Sequence, residues 1–251
     1  GCKGWLTIDS SDRIMENTLF ETEEGFFTAL NGVYAELPQA SLYGKSLAAV
    51  TFDVQAQYFD TTQPSTHTFN TLGAYSAEAR KTAVADTWDK AYFVIANVNK
   101  ILEHCESDRD VLSDRAYHII RGEMLRIFGP VFAEAPARVS IPYRTSSELT
   151  VTPLLPANEV AEKIAGDFTD ALSELADWDP VRTEGRLNGE TTGSVRYRSR
   201  HLRLNYFAVK ALQARLAIYT GDRTLAGRLA GEVIDEAGPF FPFASREDVT
   251  G

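Results

Sequence analysis

Downstream of the first helical run, Gln55, Gln57, Tyr58, Asp60, His67, Phe69 and Tyr75 combine flat rings with hydrogen-bonding side chains. A sugar presents an apolar C–H face and a rim of hydroxyls. Its capture needs a ring to stack on and polar groups that replace water. Gln57, Tyr58, Asp60, His67, Phe69 and Tyr75 are therefore the candidate ligand-binding residues, although each also fits ordinary loop packing.

Catalytic patterns are absent from the sequence. It has no G-x-S-x-G elbow, phosphate loop, dinucleotide fingerprint or H-E-x-x-H helix. His67, His104, His118 and His201 are scattered. Only His104 and Cys105 are adjacent, and consecutive helical residues point about 100° apart, a poor start for a metal site. No metal, cofactor or catalytic residue is expected. A carboxylate pair such as Asp53 and Asp60 leaves glycoside hydrolysis as a minor alternative, because two carboxylates suffice for it. With 35 acidic residues, chance pairs are common. Arg196, Arg198, Arg200 and Arg203 form the one basic run, best read as neutralising charge where a loop meets a helix.

The elements that must position these residues read as mainly α. Thr22 is an N-cap, Glu23 and Glu24 follow, and Phe26, Leu30, Val33, Tyr34 and Leu37 share a face until Pro38. A second helix is expected from about Asp86 to His104, with Trp88, Tyr92, Ile95, Asn99 and Leu102 as a core stripe. Residues 41–82 show no sustained helical period. A third helix starts near Ser113 and ends at Gly129-Pro130, and a fourth runs from about Asn158 to Leu175. A polar loop over 177–200 precedes two alanine-rich helices joined by Gly221-Asp222. That pair resembles a tetratricopeptide hairpin, although no clean 34-residue repeat recurs. Short extended pieces are expected at 48–52 and 139–143. The Pro239–Phe243 segment is strongly apolar and must pack against something.

The 251 residues carry a formal charge of −10, which disfavours nucleic acid and anionic lipid as general partners. The 44% hydrophobic content suits a buried core, and no apolar run reaches the ~20 residues of a bilayer span. Cys2 lies at the extreme N-terminus, where a buried thiol is improbable. Gly1-Cys2 resembles the end of a bacterial lipoprotein signal, which makes Cys2 a lipidation candidate.

Taken in order, several segments resemble the SusD/RagB family of Bacteroidetes outer-membrane lipoproteins. They are Cys2–Leu6, Phe20–Phe26 with Ala29–Tyr34, Trp88-Tyr92-Ile95-Asn97-Asn99, Arg121-Gly122-Glu123, Leu125–Pro130 and Arg203–Asp222. The resemblance implies tetratricopeptide-like stacked helical hairpins with long irregular loops. It also implies a non-enzymatic, surface-exposed lipoprotein that is anchored through Cys2. Such a protein would capture an oligosaccharide and deliver it to a SusC-like TonB-dependent transporter. Peptide capture and a helical protein–protein adaptor are the alternatives. The expected organisation is a tether and lead-in over 1–20 and a helical-repeat domain over 21–251, corresponding to the N-terminal portion of the family fold. Two departures stand out. Family members continue beyond the position of Gly251. They also carry further helical turns between Glu123 and Leu125, where only Met124 stands here. Eleven residues make about three turns, so the helical face would stay in phase.

Overall fold

The computed structural model describes residues 18–60, 69–124, 136–137, 139–148, 150–185 and 197–244, except for the side chain at 52. Helix α1, Glu23–Glu36, begins where Thr22 Oγ1 accepts the Gly25 amide at 3.1 Å, and it buries Phe26, Leu30 and Val33. Two short helices follow, α2 (Val50–Gln55) and α3 (Asn70–Gly73). The extended piece expected at 48–52 is thus replaced by the start of a helix. A short apolar run does not by itself distinguish the two periods.

Helix α4, Ala77–Ser107, is 31 residues long, about 46 Å at 1.5 Å per residue. It starts well before Asp86. Residues 77–85 lack an apolar stripe but are rich in Ala, Glu, Lys and Arg, whose propensity extends a helix already nucleated by packing further on. Its buried side is Ala91, Val94, Val98, Asn99, Ile101 and Cys105. Trp88, expected in the core, is 39% exposed, and Tyr92 and Tyr117 are half-buried.

Helix α5, Asp114–Met124, crosses α6, Ala157–Ala176, at Gly122. A β-carbon there would sit 2.5 Å from Leu175 Cγ, so only glycine permits this approach. The expected end of the third helix at Gly129-Pro130 lies outside the described residues. Strands β1 (Val139–Pro142) and β2 (Leu154–Pro156) form an antiparallel pair with an irregularity between Val139 and Ile141.

Within the expected polar loop sits α7, Val181–Glu184. The closing hairpin is α8 (Tyr206–Thr220) and α9 (Arg223–Ala237). Asn205 caps α8 through Ala208, Gly221 turns the chain at φ 88°, and Asp222 caps α9 through Leu225. Phe240 and Phe241 fold back to within 6.4 and 6.0 Å of the Phe207 ring, which covers part of the apolar 239–243 segment. One hydrophobic cluster joins α1, α4, α5 and α6 through residues such as Phe26, Leu30, Val94, Ile119 and Ile164. Among the described residues no helix is long and apolar enough to cross a membrane.

Candidate ligand-binding site

Two hollows flank α4. The first is a broad basin of about 1170 Å³ between the 39–46 turns, α3 and the N-terminal half of α4. Phe69 and Phe93 line it, among Ser41, Thr71, Thr82, Asp86 and Asp89. Lys45 Nζ lies 4.6 Å from the Phe69 ring centroid, and Lys90 Nζ lies 4.8 Å from that of Phe93. Each ammonium steadies the ring beside it, and that of Lys90 is also paired with the Glu36 carboxylate. Phe93 is 52% exposed. On a helix, Thr82, Asp86, Asp89 and Phe93 recur every three to four residues, so the straight rod of α4 presents them along one side. The basin can therefore offer rings, hydroxyls, carboxylates and ammonium groups to one ligand.

The second hollow is a cleft of about 430 Å³ between α4 and β1. Its walls include Trp88, Tyr92, Ile95, Val98, Ile141 and Ile164, with Trp88 and Tyr92 ring centroids 4.8 Å apart. Tyr92 Oη donates to the Pro142 carbonyl at 2.9 Å, and this bond latches the strand to the helix. Burial raises the Tyr92 phenol to about 12, with Arg144 acting in the opposite sense. Asn99 Nδ2 donates to the carbonyls of Arg144 and Ser146 at 3.3 and 3.2 Å. The Glu103 carboxylate accepts from the Ser147 amide and hydroxyl at 2.8 and 2.6 Å. Burial works against ionisation of Glu103, but these bonds outweigh it and hold the carboxyl below its ordinary 4.5. The two hollows share Ser46, Thr51 and Ala83.

The six residues expected at the ligand divide. Phe69 lines the basin. Tyr58 is 78% exposed and Asp60 is exposed, and neither lines a hollow. Gln57 and Tyr75 act together as a clasp. Gln57 Nε2 donates to the Gly73 carbonyl at 2.7 Å, and Tyr75 Oη donates to the Gln55 carbonyl at 2.5 Å. Both have left-handed backbones, at φ 62° and 57°. Such geometry costs about 1–3 kcal/mol per residue and persists only where surrounding contacts over-determine it. Gln55 also lines the cleft, so the clasp ties the loop to its mouth. His67 lies outside the described residues, as do Cys2 and Arg196.

No family model matches the chain. A "SusD-like protein P25" from Formosa agariphila is 29% identical over 130 residues, covering 49% of this chain and 24% of that protein. A crystal structure of a SusD superfamily protein from Bacteroides thetaiotaomicron superposes with a TM-score of 0.66 at 22% identity, over 91% of this chain and 49% of that one. The chain has the fold of the SusD superfamily structures. A SusD-like carbohydrate binding protein from Bacteroides vulgatus shares the fold with a TM-score of 0.64 at 17% identity, over 90% of this chain and 47% of that one. The chain spans about half the length of the solved structures it matches.

The basin's main contributors, Phe93, Lys90, Asp86 and Asp89, were not legible as a site. The available signal was Phe93, an aromatic off the Ala91-Val94-Val98 core stripe and set among charged residues. Trp178, near the end of α6, stacks on His118 at 4.9 Å, and His118 is paired with Glu174. These contacts make Trp178 a cover over α5 and α6. Among the described residues no group of three or more His, Cys, Asp or Glu is placed to hold a metal. Cys105 is buried, and its thiol is pushed up to about 12 by desolvation.

Part of the basic run is internal. Arg200 is 1% exposed. It forks onto Asp179 with Nε–Oδ1 at 3.0 Å and Nη2–Oδ2 at 2.8 Å, and it pairs with Glu123. Asp179 also accepts the amides of Val181 and Tyr206. Burial pushes the Asp179 carboxyl up to about 6 against these amides, and it pushes the Arg200 guanidinium down to about 10. The cluster locks α5, α7 and α8 together.

Proposed function

We propose that this chain is a binding protein and not an enzyme. It captures carbohydrate at the surface of the outer membrane and hands it to a SusC-like TonB-dependent transporter, with Cys2 carrying the lipid anchor. One observation carries the reading. Phe69 and Phe93 line a basin whose other side chains are largely hydroxyl, carboxylate and ammonium groups, the complement of a sugar's apolar face and polar rim. The name of the Bacteroides vulgatus structure as a carbohydrate binding protein supports the same class of ligand. Sugar rings would stack on the phenylalanines while Asp86, Asp89 and Lys90 exchange water for hydroxyls. The long helix keeps these groups in place before ligand arrives, so little ordering cost falls on binding.

Electrophoresis through gels containing soluble polysaccharides tests the proposal. At least one polysaccharide should retard the chain, and Phe69→Ala with Phe93→Ala should abolish the shift at unchanged thermal stability. Migration unaffected by every glycan in a broad panel overturns it. The anchor is tested separately in cells. Cys2→Ala should move the protein out of the membrane fraction, and unchanged retention refutes lipidation at that residue.

A specific observation favours a second reading, a protein–protein adaptor. The hairpin of α8 and α9 exposes Ile218, Tyr219 and Ile234. Capture of the transporter with no glycan or peptide interaction would select that reading.

A further inference from the structure

We propose that the cleft between α4 and β1 receives an apolar acyl or aryl substituent of the glycan held in the adjoining basin. The ligand class is then a carbohydrate decorated with such groups. The inference rests on the carbohydrate reading above and adds a second subsite to it.

The cleft serves a bare sugar poorly, because most of its polar side chains are already engaged. Tyr92 donates to Pro142, Asn99 to the carbonyls of Arg144 and Ser146, Tyr143 to the Asp167 carboxylate at 2.5 Å, and Thr87 to the Ala83 carbonyl at 3.1 Å. Hydroxyls brought into it would lose water and find few partners, which is costly. The same walls favour an apolar group, since Ile95, Val98, Ile141 and Ile164 meet there beneath Trp88. Trp88 is only partly covered, although it is large and apolar, and it stands over Tyr92 where an entering ring or chain would complete its burial. A volume of about 430 Å³ admits an aromatic ring or a short acyl chain.

The position of the cleft decides what else the ligand carries. Ser46, Thr51 and Ala83 form a border common to the cleft and the basin. One molecule lying across that border meets hydroxyl, carboxylate and ammonium groups on one side and hydrocarbon on the other. An ester- or ether-linked apolar group on a sugar has that division within a few bonds. Two hollows with opposite chemistry would then read a single decorated unit, and undecorated glycan would fill only the first.

Two probes separate the subsites. The first is the neutral fluorophore N-phenyl-1-naphthylamine, followed by its emission. The second is a calorimetric series of methyl, butyl and hexyl β-glucosides. The fluorophore should bind saturably, and affinity along the series should rise about fourfold per methylene until the cleft is filled. Thr87→Trp places a bulky ring in the cleft wall and should weaken fluorophore binding at least tenfold while polysaccharide retardation persists. Trp88→Ala removes a wall by a different route and should also weaken it, with circular dichroism confirming that both variants fold. Polysaccharide binding without saturable fluorophore binding overturns this inference alone, as does fluorophore binding unchanged in both variants. Fluorophore binding that both variants weaken, without any polysaccharide binding, overturns the carbohydrate reading while the apolar subsite stands.

Discussion

The α5–α7–α8 side and the α4 basin use the same residue types to opposite ends. Around Arg200, two carboxylates and a guanidinium are sealed from water, and each partner is needed to keep the others tolerable. In the basin, Asp86, Asp89 and Lys90 sit beside Phe69 and Phe93, in reach of solvent and of anything that enters. A buried charge group fixes how elements lock together. An accessible one costs little to leave hydrated and can exchange water for ligand. The first should matter to stability and the second to binding, and five measurements can break or sharpen that division.

The largest effect is expected from Arg200→Leu. It leaves Asp179 and Glu123 buried without their cation and should cost about 3–5 kcal/mol in urea unfolding. A loss below about 1 kcal/mol would mean that the cluster is not a lock. Next, Gly122→Ala forces a methyl against Leu175 and should destabilise by about 1–3 kcal/mol, read as a lower midpoint with the same denaturant slope. Neither variant should change glycan retardation while the chain stays folded.

On the other side, Phe93→Ala should weaken glycan binding up to about tenfold, the worth of one aromatic contact. Stability should stay within about 0.5 kcal/mol, because the ring is exposed. A drop in stability with unaltered binding would reverse the assignment. Gln57→Gly removes the clasp bond to Gly73 but relieves a left-handed backbone, two opposed effects of similar size. Stability should therefore hardly change, while hydrogen exchange of the 55–58 amides quickens. Unaltered exchange there would show that the clasp does not hold the loop.

The smallest effect concerns pH. Glu103 has a folded-state value below its unfolded one, so its contribution is complete above about 4.5 and fades as pH falls through the folded value. Acidification below pH 4.5 should lower the protection of the Ser147 amide, taken against its intrinsic exchange rate at each pH, before the core opens, and Glu103→Gln should show that lower protection already at pH 7. Identical profiles for the two proteins would remove Glu103 as the tie between α4 and the 144–148 segment.

Much of the fold was legible because its signals are local. Thr22 and the Gly221-Asp222 pair act within a turn of where they stand, the first capping a helix and the second reversing the chain as their chemistry dictates. Helix α4 was read too short because its first third is helical by propensity and has no buried stripe. Trp88 and Tyr92 follow an apolar period, yet Trp88 stays 39% exposed and opens onto the cleft. Phe69, a ligand candidate by residue type, lines the basin. Gln57 and Tyr75, candidates on the same ground, turn their side chains to the backbone carbonyls of Gly73 and Gln55.

By itself, the sequence determined the existence of the longer helices, the Thr22 cap, the closing hairpin and an ordered set of motifs similar to SusD-like proteins. Those features depend on spacing along one strand of chain. Only the tertiary structure decided that Arg200 goes inside, which side of α4 faces a basin, and that this basin borders a more apolar cleft at Thr51. Each of these depends on residues far apart in the chain meeting in space. Arg200 finds Glu123 and Asp179 across helix packing, and Thr51 of a short helix and Ala83 of a long one border the same two hollows. Spacing along the chain carries no record of such meetings, because the free energy of burying or exposing a side chain is set by its neighbours.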